Sequence, residues 1–84
     1  MRHLDAPQPN VVEGVFSQWN DLVGEVIGSN TKPVRIKDGV LTVEVPDQAW
    51  ASEMQWMGEE LVRQIQVKLA TEEVTSIAVR IARA

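Results

Sequence analysis

Little in this chain could make or break a covalent bond. There is no cysteine, which removes disulfides, thiolate nucleophiles, iron–sulfur clusters and thiolate metal sites together. The single histidine is His3, so a Ser-His-Asp triad or a histidine zinc site would have to rest on a residue at the very start of the chain. Met1-Arg2-His3 could hold copper(II) or nickel(II) through the free amine, two amides and the imidazole. Any chain with histidine third can do the same, so that reading is incidental. Glu59 and Glu60 are adjacent on a helical stretch, where side chains diverge, and they form a solvated face rather than an acid–base pair. Gly24 and Gly28 close an apolar helical pattern with no Lys-Ser or Lys-Thr after them, unlike a phosphate loop. No catalytic residue, metal ligand or cofactor is expected.

What remains is residues that could bind. The 84 residues carry a formal charge of −4, which argues against a strongly basic nucleic-acid binder. The distribution is uneven. Residues 47–73 hold six acids (Asp47, Glu53, Glu59, Glu60, Glu72, Glu73) against Arg63 and Lys68, whereas residues 74–84 hold only Arg80 and Arg83. Hydrophobic residues are 44% and charged residues 24%, the balance of one soluble globular domain with a small core that needs no cross-links. No apolar run approaches the length of a membrane-spanning helix, and the first ten residues lack the apolar segment of a signal peptide. A cytoplasmic protein without membrane contact is expected.

The elements that position these residues follow from periodicity. Residues 1–9, with Pro7 and Pro9, read as a flexible arm, and residues 10–84 as one domain. Asn10 with Glu13 has the spacing of a capping box. Val12, Val15, Phe16, Trp19, Leu22, Val23, Val26 and Ile27 then fall on one broad helical stripe, with Gly28 placed as a C′ residue. Asp38-Gly39 between two alternating runs predicts a type I′ hairpin. Its register would set Lys37 against Val40, Ile36 against Leu41, Arg35 against Thr42 and Val34 against Val43. Asp47 caps a second helix over residues 48–69, with Trp50, Met54, Met57, Leu61, Ile65 and Leu69 on its stripe and a kink or break at Gly58. Residues 74–81 form a last strand, with Ile77, Val79 and Ile81 inward and Ala78 and Arg80 outward. A right-handed crossover makes that strand parallel to the second. The fold class is α+β: α-β-β-α-β, a two-layer sandwich with two helices on a three-stranded mixed sheet.

Placed on these elements, Arg35, Lys37 and Arg80, with Arg83 just beyond, collect on the outward sheet face. They either meet phosphates in weak, salt-sensitive contacts or merely keep the sheet soluble. No aromatic interleaves them, so no base-stacking platform is expected. Trp19 is core. Trp50 heads the second stripe as core or as a partly exposed docking residue. Trp56 points away from that stripe, so it either packs with Ala49 or Val67 or stands exposed as an anchor for a partner.

The run Trp19-Asn20-Asp21-Leu22-Val23-Gly24, Pro33, the hairpin Asp38-Gly39-Val40-Leu41-Thr42-Val43-Glu44-Val45 and the segment Ala49-Trp50-Ala51-Ser52-Glu53-Met54 share one further property. With Leu61, Ile65 and Val74 to Val79 they resemble the DciA family, in its actinobacterial form, from about Val11 to Ile81. Those bacterial proteins assist the loading or operation of the replicative DNA helicase. The resemblance implies a KH-like domain and a non-enzymatic replication adaptor that contacts the helicase and weakly binds single-stranded or forked DNA. The alternatives are a KH-like RNA- or DNA-binding module independent of helicase, or a purely protein-interaction or oligomerising domain. KH domains clamp nucleic acid with a Gly-x-x-Gly loop between two helices. Gly58-Glu59-Glu60-Leu61 lacks the second glycine and carries two acids, which argues against clamping there. Family members also carry a basic extension and residues upstream of helix one; the expectation for this chain is the folded domain alone.

Overall fold

A computed structural model describes residues 9–82, so residues 1–8 of the expected arm, His3 among them, and Arg83 lie outside the described residues, while Pro9, expected to end the arm, opens the first helix. Three helical pieces come first: α1 Pro9–Ser17, α2 Trp19–Val23 and α3 Glu25–Asn30. Strands β1 Lys32–Lys37 and β2 Val40–Val45 follow, then α4 Gln48–Trp56, α5 Gly58–Lys68 and β3 Ser76–Ile81. The sheet order is β1-β2-β3, with β2 antiparallel to β1 and parallel to β3. Helix α1 lies against β1, α2 against α5, and α4 and α5 over β3, so all the helices share one face of the sheet. The expected α+β two-layer architecture is the one observed.

The first helix is not the single rod that the periodicity predicts. Its first turn begins at Pro9, so Asn10 lies inside the helix rather than at its cap. Gln18 leaves helical geometry (φ −114°, ψ 24°), although its N–H still reaches the Gly14 carbonyl. The full break comes at Gly24, whose φ of 95° stops the helix four residues earlier than expected. The 100° phase is lost there. Val26 is consequently 71% exposed, and Phe16, on the flank of the stripe, is also exposed. Gly28 is not a C′ residue but a contact: a Cβ on it would stand 2.9 Å from the Asn20 Cα, so α3 folds closely back on α2.

A buried polar chain holds that fold-back. The Trp19 indole Nε1–H donates to Thr31 Oγ1 at 3.1 Å, and the Thr31 hydroxyl donates to the Ile27 carbonyl at 2.7 Å. Thr31 is the one buried polar side chain among the described residues. It is satisfied, as an indole N–H taken out of water requires.

The hairpin turns at Asp38 (φ 54°) and Gly39 (φ 81°), both positive as type I′ demands. Lys37, Ile36 and Arg35 pair with Val40, Leu41 and Thr42 as expected. The register then slips: Pro33, not Val34, opposes Val43, because Val34 is a bulge. The Gly39 carbonyl also accepts from the Thr75 and Ser76 N–H groups at 2.7 and 3.2 Å, which fastens the turn to the start of β3. Regular pairing of β3 begins at Ser76 rather than at Val74, although Val74 is fully buried.

Asp47 caps α4 by accepting from the Trp50 backbone N–H at 2.9 Å. The expected break falls at Met57 (φ −98°, ψ 5°), next to Gly58. Met54, Leu61 and Ile65 are buried and Trp50, Met57 and Leu69 half-buried, so the predicted stripe is the packed one. Helix α5 ends in a Schellman pattern: Thr71 N–H to Gln66 C=O, Ala70 N–H to Val67 C=O, with Ala70 at φ 50°.

Two stability outcomes follow from this packing. Trp19→Ala should cost about 3–5 kcal/mol, whereas Thr31→Val, which strands the indole N–H, should cost about 1–3 kcal/mol. Denaturant melts check both, and a loss under about 1 kcal/mol at Trp19 would take the ring out of the core. Ala70→Gly should raise stability by roughly 0.5–1 kcal/mol by relieving the left-handed alanine. A lower melting midpoint for that variant would contradict the assigned cap.

Candidate nucleic-acid and partner interfaces

The face of the sheet away from the helices is built in three cross-strand rows. Lys37, Val40 and Ser76 form one, Arg35, Thr42 and Ala78 the next, and Lys32, Glu44 and Arg80 the last. The structure therefore brings Arg35, Lys37 and Arg80 together as expected. It adds a residue that the sequence reading missed. With an unbroken register Lys32 would oppose Val45 and point into the core. The bulge at Val34 shifts it by one, so Lys32 opposes Glu44 on the outer face. A lysine whose strand phase would bury it is itself a signal for such a slip.

Glu44 is the acid of this face, and it is crowded by cations. Arg80 places Nη2 3.2 Å and Nε 3.4 Å from Glu44 Oε2, and Lys32 Nζ lies 3.8 Å from Oε1. The Glu44 side chain is only 18% exposed, whereas those of Lys32 and Arg80 stay largely in solvent. Arg80 is thus oriented rather than free. Arg35 and Lys37 are exposed and, among the described residues, engaged in no ion pair. Four cations less one carboxylate leave a net +3 on a face otherwise made of Val40, Thr42, Ser76 and Ala78. Such a surface can meet phosphates; it offers no ring on which a base could stack.

A different surface lies on the helical layer. Trp56 ends α4 with 87% of its surface exposed, and with Ala49, Ser52 and Glu53 it lines a shallow groove of about 290 Å³. Of the two readings, exposure is the one observed. Trp50 is half-buried against the core. Acids surround Trp56 in sequence: Glu53 in the groove, then Glu59 and Glu60 in the first turn of α5, where the helix dipole favours them. Glu60 also accepts from Arg63 at 3.1 Å. Gly58 to Leu61 lie within α5, so no loop of the KH clamping kind is formed by them.

Among the described residues no three His, Asp or Glu side chains converge as metal ligands, and no helix is long and apolar enough to cross a membrane. A groove of about 830 Å³ between Val11 and the α5–β3 connection is lined by Gln66, Val67, Leu69 and Glu72 among others.

A family model described as "Dna[CI] antecedent, DciA" matches residues 8–79. A UPF0232 protein of Mycobacterium leprae is 36% identical over 70 residues, covering 82% of this chain and 37% of its own length. UPF0232 proteins of Mycobacterium tuberculosis and Rhodococcus jostii are 33% and 31% identical, covering 82% and 84% of this chain and 37% and 38% of their own. The chain therefore spans less than two fifths of the length of each of these relatives, which are actinobacterial. With the matched segment running from before α1 into β3, the chain belongs to the DciA family.

Proposed function

We propose that this domain is a non-enzymatic adaptor of DNA replication that contacts the replicative DNA helicase, weakly binds single-stranded or forked DNA and assists helicase loading in the cytoplasm. Membership of the DciA family carries the reading. Two surfaces of different chemistry support the division of labour. The net +3 outer sheet face suits a phosphate backbone, with Arg35 and Lys37 uncommitted, Arg80 and Lys32 held by Glu44, and Arg83 following in the chain. Trp56, with the half-buried Trp50 near the other end of α4, suits a protein partner, because tryptophan is enriched at interface hot spots.

The weakness of DNA binding follows from the same geometry. Three or four phosphate contacts without stacking give low affinity that collapses as salt rises. The 84 residues together are acidic, and their carboxylates lie mostly on the helical side, which orients any phosphate backbone toward the sheet. A purely protein-interaction role is the second reading, and the exposure of Trp56 is what favours it.

Amide NMR with a short single-stranded DNA separates the two. Shifts should cluster on Arg35, Lys37 and Arg80, with a log K against log salt slope of roughly −2 to −3. Arg35→Ala with Lys37→Ala should flatten that slope by about 1.4. No shift at millimolar DNA would leave only the protein-interaction reading. Trp56→Ala should cost under about 1 kcal/mol of stability, yet weaken helicase binding by roughly tenfold or more. Unchanged helicase affinity would remove Trp56 from the interface.

A further inference from the structure

The two edges of the sheet are defended very differently. β1 carries Pro33, the bulge at Val34 and three cations (Lys32, Arg35, Lys37), each a device that blocks strand addition. β3, Ser76-Ile77-Ala78-Val79-Arg80-Ile81, has no proline and no bulge, and its one charge is turned to Glu44. Among the described residues no strand pairs with its outer side.

Backbone direction identifies which groups are free. Ser76 and Ala82 donate toward the hairpin side, to the Gly39 and Val45 carbonyls. By alternation the N–H and C=O groups of Ile77, Val79 and Ile81 face outward. Ile81 is also 42% exposed although it lies on the helix-facing side.

We infer that the outer edge of β3 pairs antiparallel with β3 of a second copy of this chain, about a two-fold axis at Val79. The sequence of the strand is what selects this occupant. An antiparallel partner must set outward-facing residues opposite one another, and only an axis at Val79 pairs all three of them within the strand, Val79 with Val79 and Ile77 with Ile81. Ala78 then meets Arg80, and Ser76 meets Ala82. Every helix-side pair is aliphatic, and no charge opposes a like charge. In this register Val79 exchanges two hydrogen bonds with its mate and each Ile77–Ile81 pair two more.

The axis stands perpendicular to the joined sheet, so both outer faces lie on one side. The cations of both copies then lie on one surface, with the two Arg80 residues nearest the axis and Lys32, Arg35 and Lys37 on the two outermost strands. The inference goes beyond the replication reading, since neither DNA nor helicase enters its test.

Sedimentation equilibrium of the 84-residue chain from about 10 μM to about 1 mM reads the association. A monomer–dimer equilibrium in that range is expected. Ala78→Arg sets arginine against Arg80 at two symmetric places and should weaken the dimer roughly three- to tenfold, whereas Ala78→Glu should not weaken it. Ala78 is exposed, so both variants should keep the parent circular dichroism. If Ala78→Arg fails to fold, Ile81→Lys at the exposed rim serves as the disrupting variant and should likewise weaken the dimer. A monomer at every concentration would leave the edge to some other chain and overturn the proposal. A dimer indifferent to the disrupting variant that folds would overturn it equally.

Discussion

The alternation of β2 is the constraint on which the rest of the molecule depends. It is the central strand, bonded on both sides, and Leu41, Val43 and Val45 are all essentially without solvent contact while Val40, Thr42 and Glu44 face the other way. A period of two cannot be changed without moving every side chain to the opposite face. Both neighbours inherit their facing from it. Ile36 joins the core because it opposes Leu41, and Arg80 joins the outer surface because it opposes Glu44.

From that constraint comes a molecule with two electrically different layers. The sheet surface gathers cations at the spacing of strands, with Glu44 tying two of them down. The helical layer holds the acids, where a helix N-terminus and an i,i+3 arginine accommodate them. Net charge by itself conceals this separation. A chain of −4 presents a +3 face, and an exposed tryptophan stands on the acidic layer. The layers share a core of mainly aliphatic side chains, with one aromatic anchor, Trp19, held by a polar partner at its indole nitrogen.

Local signals with a steric cause were readable directly. Asp38-Gly39 names its turn because both positions need positive φ. Asp47 names a helix start because its carboxylate reaches the Trp50 N–H, and the second stripe was read correctly because its break left the phase of the packed residues intact. Errors arose where a break changed phase. Across Gly24 the apolar spacing of the sequence continues while the chain turns, so periodicity predicts a core place for Val26 that it never reaches. Gly28 looked like a terminator and is instead the point where two backbones touch, a property of the pair that neither residue shows alone.

The sequence by itself determined the order of helical and strand segments, the hairpin, the inward faces of β2 and β3 and the collection of Arg35, Lys37 and Arg80 on one surface, since each follows from local dihedral preference and periodicity. Only tertiary structure decided that Lys32 joins them. The bulge that turns it outward is a register slip between two strands, and it avoids burying an ammonium group opposite Val45. Tertiary structure likewise decided that Trp56 is bare while Trp50 is half-covered, because exposure is set by what packs on α4 and not by the helix alone. The face of a residue is a short-range property of the backbone. What covers that face depends on elements distant in the chain, and a one-dimensional pattern does not contain them.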